Sequence, residues 1–166
     1  MDTRIEHVAA LIMEIRKYKA GDAADLWEIF FGAIRYVCCR DYSDAQVKAW
    51  APDDFDQKKW ESRVESLNPY VVFVDNKIAG YADLQDDGLI DHFFVGHKFQ
   101  RQGVGNALMT SIITEARSKK MPKLYSYVSD TARDFYSHYD FTVVKPNTET
   151  VRGVELTNNL MEQILE

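Results

Sequence analysis

Gln100-Arg101-Gln102-Gly103-Val104-Gly105 is the stretch whose reading decides the fold. It follows an apolar run, Leu89-Ile90-Asp91-His92-Phe93-Phe94-Val95, that reads as a strand. It opens a run from Val104 to Ala116 that reads as an amphipathic helix. A strand, a glycine-containing turn and a helix N-terminus together form an anion site. The first-turn N–H groups of a helix lack intrahelical partners, and the macrodipole adds partial positive charge there. Glycine lets a phosphate approach the backbone, because no Cβ intrudes. Arg101 adds a charge-assisted contact. The stretch therefore predicts a ligand carrying a pyrophosphate.

Elimination narrows that ligand. A P-loop needs Lys followed by Ser or Thr after its glycines, and neither pair is present here. A dinucleotide fingerprint needs a third glycine, but Leu108 stands in its place. The acidic ribose ligand expected about 20 residues on is also missing, since Lys123-Leu124 occupies that position. What remains is a Gln/Arg-x-x-Gly-x-Gly/Ala turn. A second segment, Ala132-Arg133-Asp134-Phe135-Tyr136-Ser137-His138-Tyr139-Asp140-Phe141, follows another strand, Leu124 to Val128.

In order and spacing the two segments resemble the acetyl-coenzyme A loop and the Ala-x-x-Phe/Leu-Tyr-x-x-x-Gly-Phe motif of the GNAT superfamily of N-acetyltransferases. The resemblance covers roughly residues 13 to 160. Two departures are visible. Asp140 stands where the family usually has Gly, and Asp tolerates the left-handed turn better than most residues. Ser129 stands where many members carry Asn, and still offers a hydroxyl to the pantetheine chain.

The resemblance implies a transfer of acetyl from acetyl-coenzyme A to a primary amine by direct attack in a ternary complex. It implies that Gln100, Arg101, Gln102, Gly103, Val104 and Gly105 hold the pyrophosphate. The 89–95 strand would splay from the 124–128 strand. Backbone groups of Phe93, Phe94 and Val95 would then bind the pantetheine arm and polarise the acetyl carbonyl. Tyr136 matches the family tyrosine beside the coenzyme sulfur, both as a coenzyme contact and as the acid for the leaving thiolate. A phenol is a proton donor at neutral pH.

The base stays open between Asp91, His92 and a water wire. Strand neighbours face opposite sides, so at most one of the two side chains should face the acceptor. Counting back from Val95 puts Asp91 with Phe93, and a charged Asp on a central strand is costly without a function or a partner. Asp91 is therefore favoured. The acceptor site is expected around Tyr36, Tyr42 and Trp50, whose aromatic and mixed-charge setting suits a small polar amine. A protein Lys or N-terminal amine is the second acceptor class. A non-catalytic acyl-coenzyme A-binding module is the reading from another class.

The rest of the chain agrees. Met13 to Tyr18 reads as a strand, and a helix follows from Asp22, a plausible N-cap, to about Val37. Ser43 and Gln46 form a capping box for a short helix ending at Trp50. Asp56 to Leu67 reads as a third helix. Tyr70–Val74 and Ile78–Leu84 read as a hairpin, and Val151–Leu156 as a last strand. The fold class is α/β: one domain with a mixed, mostly antiparallel sheet of six to seven strands and helices on both faces. Residues 1–12 read as an N-terminal extension, with Met13 an alternative start, 13–160 as the domain and 161–166 as a C-terminal tail.

The 166 residues are 46% hydrophobic, enough for one real core. A net charge of −6 argues against a nucleic-acid surface. No apolar run of membrane-spanning length occurs, and no signal-peptide pattern opens the chain. Cys38 and Cys39 are adjacent, which disfavours a disulfide, and neither has metal-ligand spacing. A reducing, cytoplasmic setting without a metal is expected. Family habit also implies a homodimer, for which the residue pattern carries no signal.

Overall fold

A computed structural model describes residues 12–165. Of the expected 1–12 extension only Ile12 is among the described residues, where its N–H donates to Asp75 Oδ1 at 3.1 Å, and the alternative start at Met13 turns on residues outside them. Chain order is β1 (Met13–Lys17), α1 (Ala23–Tyr36), α2 (Asp44–Trp50), α3 (Gln57–Leu67), β2 (Tyr70–Val74), β3 (Lys77–Ala82), β4 (Phe93–Val95), α4 (Val104–Ser118), β5 (Lys123–Ser129), α5 (Arg133–His138), β6 (Thr142–Val151) and β7 (Val154–Ile164). A short 3-10 turn, Cys38–Arg40, joins α1 to α2.

Local chemistry explains most boundaries. The capping box is present: Ser43 Oγ accepts the Gln46 N–H at 3.1 Å, and Gln46 Oε1 accepts the Ser43 N–H at 2.9 Å. Asp56 caps α3 by accepting the Lys59 N–H at 3.1 Å. Asp22 precedes α1 but does not cap it. Its carboxylate is taken by Arg16, at 2.7 and 3.1 Å, and by the Lys19 N–H at 2.9 Å. The β2–β3 turn has only two residues, Asp75 and Asn76, at φ 48° and 65°. Asp and Asn tolerate that left-handed geometry, so Lys77 already belongs to β3.

The strands form two antiparallel sheets, β1-β2-β3-β4 and β5-β7-β6. Among the described residues one backbone bridge joins them. The Ile90 N–H donates to Tyr125 O at 2.9 Å, and the Tyr125 N–H donates to Gly88 O at 3.0 Å. A Cβ on residue 88 would stand 2.3 Å from Lys123 O, so only glycine allows this approach. Past Ile90 the strands part, with β4 pairing β3 and β5 pairing β7. The expected splayed pair is this gap.

The strand expected over 89–95 is shorter than predicted. The buried Asp83 carboxylate accepts the N–H groups of Asp91 at 3.1 Å and His92 at 2.6 Å. Those bonds take the place of a regular ladder, and β4 begins only at Phe93. The C-terminal expectation also changes. β6 and β7 are long strands joined at Arg152-Gly153, and β7 lies between β5 and β6. Residues 161–164 are therefore sheet rather than tail, and Leu165 is buried. Polar Asn159 and Gln163 sit at inward positions of β7 and mask its alternation in the sequence.

Apolar layers cover both faces, as strand alternation requires. Val72 and Val74 pack with Leu108, Met109 and Ile112 of α4. Val71 and Tyr81 pack with Leu26, Phe30 and Ile34 of α1 and Trp60 of α3. Burying one such aliphatic side chain contributes about 1.5–3 kcal/mol, so the two layers clamp the first sheet firmly. Among the described residues no helix is long and apolar enough to cross a membrane.

Candidate active site

Two cavities meet in the gap between β4 and β5. One, of about 380 Å³, runs along Val95, Gln100, Arg101, Gly103, Val104 and Gly105. The other, of about 310 Å³, is walled by Phe30, Tyr42, Trp50, Asp91, His92 and Tyr136. Phe93, Phe94, Ser129 and Ala132 line both.

The first cavity is a backbone site. The first bond within α4 runs from the Ala107 N–H to Gly103 O at 3.0 Å. The N–H groups of Val104, Gly105 and Asn106 therefore have no intrahelical acceptor, and the positive end of the helix faces the groove. Gly103 precedes the helix at φ 85°, a left-handed conformation that suits glycine. Arg101 lines the groove as expected. Gln100 also lines it, but its amide donates to Val95 O at 2.9 Å and so clips the turn to β4. Gln102 does not line the groove, and its amide reaches Lys98 O at 3.5 Å.

Along β4 the antiparallel alternation assigns the backbone groups. Asp83 N–H donates to His92 O at 3.1 Å and Gly96 N–H to Ala79 O at 2.7 Å. Phe94, in register with Tyr81, therefore spends its N–H and C=O on β3. Phe93 and Val95 turn theirs toward the gap. The expectation that all three residues offer backbone groups to a pantetheine arm thus narrows to Phe93 and Val95, with Val95 O already taken by Gln100. Phe94 contributes its ring. The Ser129 hydroxyl lines the groove while accepting the Ala132 N–H at 3.1 Å.

Tyr136 lines the second cavity and not the first, and reaches the junction only through Phe93. Its ring meets Phe93 edge-on, with centroids 5.7 Å apart, and its hydroxyl lies 3.5 Å from Ser126 Oγ. Burial pushes the phenol well above its ordinary range, so it stays protonated at neutral pH. Ser126 in turn donates to Ile90 O at 2.7 Å, tying β5 to the start of the gap. Sequence reading missed Ser126. Its signal was a hydroxyl between Leu124 and Val128 on the inward face of β5. Asp140, at φ 65°, makes the left-handed turn after α5 that its position requires.

Asp91 and His92 do not alternate. Because the segment before Phe93 is not a regular strand, both side chains line the second cavity. Asp91 is ion-paired with Arg63 of α3. His92 is half-buried by surface area, yet its ring is closely surrounded by Phe30, Phe94, Trp60 and Tyr81. Burial pushes it down to about 4, so it is neutral at pH 7, and Nδ1 lies 3.0 Å from the Tyr81 hydroxyl. Asp83, also missed from sequence, is buried and pushed up to about 6, mainly by desolvation.

Of the three expected acceptor residues, two line the second cavity. Trp50 packs on Phe94 with the ring planes inclined at 64°. The Tyr42 hydroxyl donates to Thr157 O at 2.6 Å and accepts the Asp130 N–H at 3.0 Å. It therefore stitches the segment after α1 to the second sheet and shows the cavity its ring. Tyr36 lines neither cavity. It is 59% exposed and packs on Phe31 and His97, because its helical position points away from the sheet. Glu149 and Asn158, from β6 and β7, are wall residues that sequence reading did not find. Cys38 and Cys39 carry free thiols; Cys38 is buried beside the groove and its thiol is pushed up to about 11 by burial.

A free helix N-terminus opening on a gap between two sheets, with a buried phenol at its end, defines an acyl-transfer architecture. Residues 38–162 match the model of the acetyltransferase (GNAT) domain, and the chain belongs to the GNAT acetyltransferase family. It is similar to an uncharacterized N-acetyltransferase, YafP, of Escherichia coli (strain K12). The two are 30% identical over 149 residues, which span 90% of this chain and 94% of that one. Among solved structures it resembles a GCN5-related N-acetyltransferase from Rhodopseudomonas palustris, with a TM-score of 0.89 and 26% identity. That likeness covers 96% of this chain and 99% of the other. The PaiA N-acetyltransferase of Thermoplasma acidophilum, solved in complex with coenzyme A, shares the fold at a TM-score of 0.70 and 16% identity, over 93% and 99% of the two chains. The protein is an acyltransferase.

Proposed function

We propose that the protein transfers an acetyl group from acetyl-coenzyme A to the primary amine of a small molecule. The observation that carries this reading is the meeting of the two cavities at Phe93, Phe94, Ser129 and Ala132. One end offers unpaired helix N–H groups to a pyrophosphate, and the other offers an aromatic, mixed-charge chamber to an amine. The solved relative that holds coenzyme A supports the choice of cosubstrate.

When bound, acetyl-coenzyme A supplies an activated thioester. The residues divide the remaining work. The N–H groups of Val104, Gly105 and Asn106, with Arg101, hold the pyrophosphate. Phe93 and Val95 offer backbone N–H groups in the gap, where a donor stabilises charge developing on an acyl oxygen. Asp91 draws the acceptor ammonium into the chamber and takes its proton, directly or through water, while Arg63 fixes the carboxylate. His92 is enclosed by aromatic rings and has Nδ1 engaged by the Tyr81 hydroxyl. Tyr136 keeps a proton on its hydroxyl for the departing thiolate.

Calorimetric titration with acetyl-coenzyme A, followed by thiol-release assays over an amine library, tests the reading. Micromolar binding with turnover on a subset of small amines is expected. Turnover confined to peptide N-termini or lysines would move the acceptor to proteins. Binding without any turnover would leave an acyl-coenzyme A-binding module.

A further inference from the structure

The acceptor chamber continues beyond Trp50. A further cavity of about 280 Å³ shares Phe30 and Trp50 with it. Its inner wall is aromatic. Trp27 and Phe55 stack with centroids 3.9 Å apart, and Trp60 meets Trp27 edge-on at 5.0 Å. The rings lead back to the junction in two steps, Trp60 to Phe30 at 5.2 Å and Phe30 to Phe94 at 5.0 Å.

Its rim carries three cations and one acid, Asp56. Lys59 and Arg63 come from α3, and Arg152 from the β6–β7 turn. Two of the nearby acids have partners. Asp56 caps α3, and Asp91 pairs with Arg63. Among the described residues neither Lys59 nor Arg152 is ion-paired with a carboxylate. Arg152 spends one guanidinium N–H on Ala49 O at 2.7 Å. On a chain of net charge −6, two cations without acidic partners beside an aromatic wall form a local exception.

We propose that this cavity is an anion subsite for the far end of the acceptor. The acceptor is then an amine with a ring-bearing apolar body and a carboxylate at the opposite end. The body lies against Phe30, Trp50 and Trp60, whose faces and edges favour a ring. The carboxylate meets Lys59 and Arg152, which fix orientation and select the partner. An ordinary α-amino acid does not fit this arrangement. Its amine and carboxylate share one carbon, whereas two ring spacings separate the junction from the rim. The amine end of the assignment rests on the acetyl-transfer reading above.

Phenethylamine and its para-carboxylate form the test pair, since they differ only in the anion. Calorimetry on the protein saturated with coenzyme A reads binding without turnover, and thiol release reads transfer. The carboxylate form is expected to bind more tightly on the order of tenfold, the scale of one charge-assisted contact. That preference should shrink with added salt and vanish in Lys59→Glu combined with Arg152→Gln. Lys59→Glu alone should weaken it while keeping the fold, because Lys59 is exposed near a helix N-terminus, where an acid is tolerated. Equal binding of the two amines, binding of neither, or a preference that survives the double variant would overturn the proposal. Carboxylate-dependent binding with no thiol release would keep the subsite and remove the transfer reading; equal binding with thiol release would do the reverse.

Discussion

The two cavities are built in opposite ways. The groove at the glycine turn is drawn mostly from one stretch, residues 93–106, closed by the end of β5, the segment leading into α5 and a wall of Ala33, Val37 and Cys38, and the polar groups it offers are largely backbone. The acceptor chamber gathers side chains from α1, α2, the 90–94 segment, β5, β6 and β7. Its Tyr42–Thr157 hydrogen bond joins positions 115 residues apart. A backbone site restricts which residues the turn tolerates, so it writes a local motif. A side-chain chamber is set by long-range packing, and many residue combinations shape a similar wall.

Four measurements press on that contrast. The largest effect is expected at the border, where Tyr136→Phe should lower turnover about a hundredfold, the usual scale of a lost general acid. Acetyl-coenzyme A affinity should hardly move in that variant. Unchanged turnover would remove Tyr136 from the chemistry and leave the border without an acid.

Asp83 lies beneath the same border, and its effect is on stability. Its folded-state value, up at about 6 from 3.8, means that its contribution is full below about pH 4 and is lost as pH rises through 6. His92, down at about 4 from 6.5, contributes in the other direction and loses stability as pH falls. Between those limits the folded chain takes a proton at Asp83 while the unfolded chain takes one at His92, and the two offset. Asp83→Asn should therefore uncover a loss of stability as pH falls from 6 to 4.5, read by urea unfolding. A variant whose stability stays as flat as the parent's would mean that Asp83 and His92 do not offset one another.

On the coenzyme side, Gly103→Val should weaken coenzyme binding about tenfold, because a β-branched residue at φ 85° is strained by about 1–2 kcal/mol. The nearest atom to a Cβ there is Met13 Cε at 3.9 Å, so the damage comes through backbone geometry rather than a clash with neighbouring protein. Catalytic efficiency should fall by one common factor for every amine tested. A factor that varied with the amine would break the separation of the two cavities. On the acceptor side, Asp91→Asn should cost least, about three- to tenfold in turnover, since water can carry a proton in place of a single carboxylate. Calorimetry should show coenzyme affinity unchanged, and a parallel loss there would join the two sites.

The same contrast sorts what was legible in the sequence. The glycine turn into α4, the helix of the tyrosine segment, the Ser43–Gln46 capping box and the left-handed Asp140 all follow local rules, and each has the expected conformation. The shortened β4 was hidden because its cause, Asp83, acts across a hairpin on the N–H groups of residues 91 and 92. Tyr36 was misplaced because composition marks aromatic residues without saying which helix face they occupy. Ser126, Glu149 and Asn158 carried no motif. They become wall residues only once β5, β6 and β7 are side by side.

The position of β7 has a consequence for how the enzyme comes into being. It is the last strand of the fold in chain order but the middle strand of its sheet, and it carries Leu156, Thr157 and Asn158 of the acceptor wall. During synthesis the glycine turn and α4 leave the ribosome well before it. A nascent chain can thus assemble its first sheet while β5 and β6 still present open edges, the kind of surface that invites mispairing and chaperone capture. The wall that β7 contributes is complete only once that strand has paired on both of its edges.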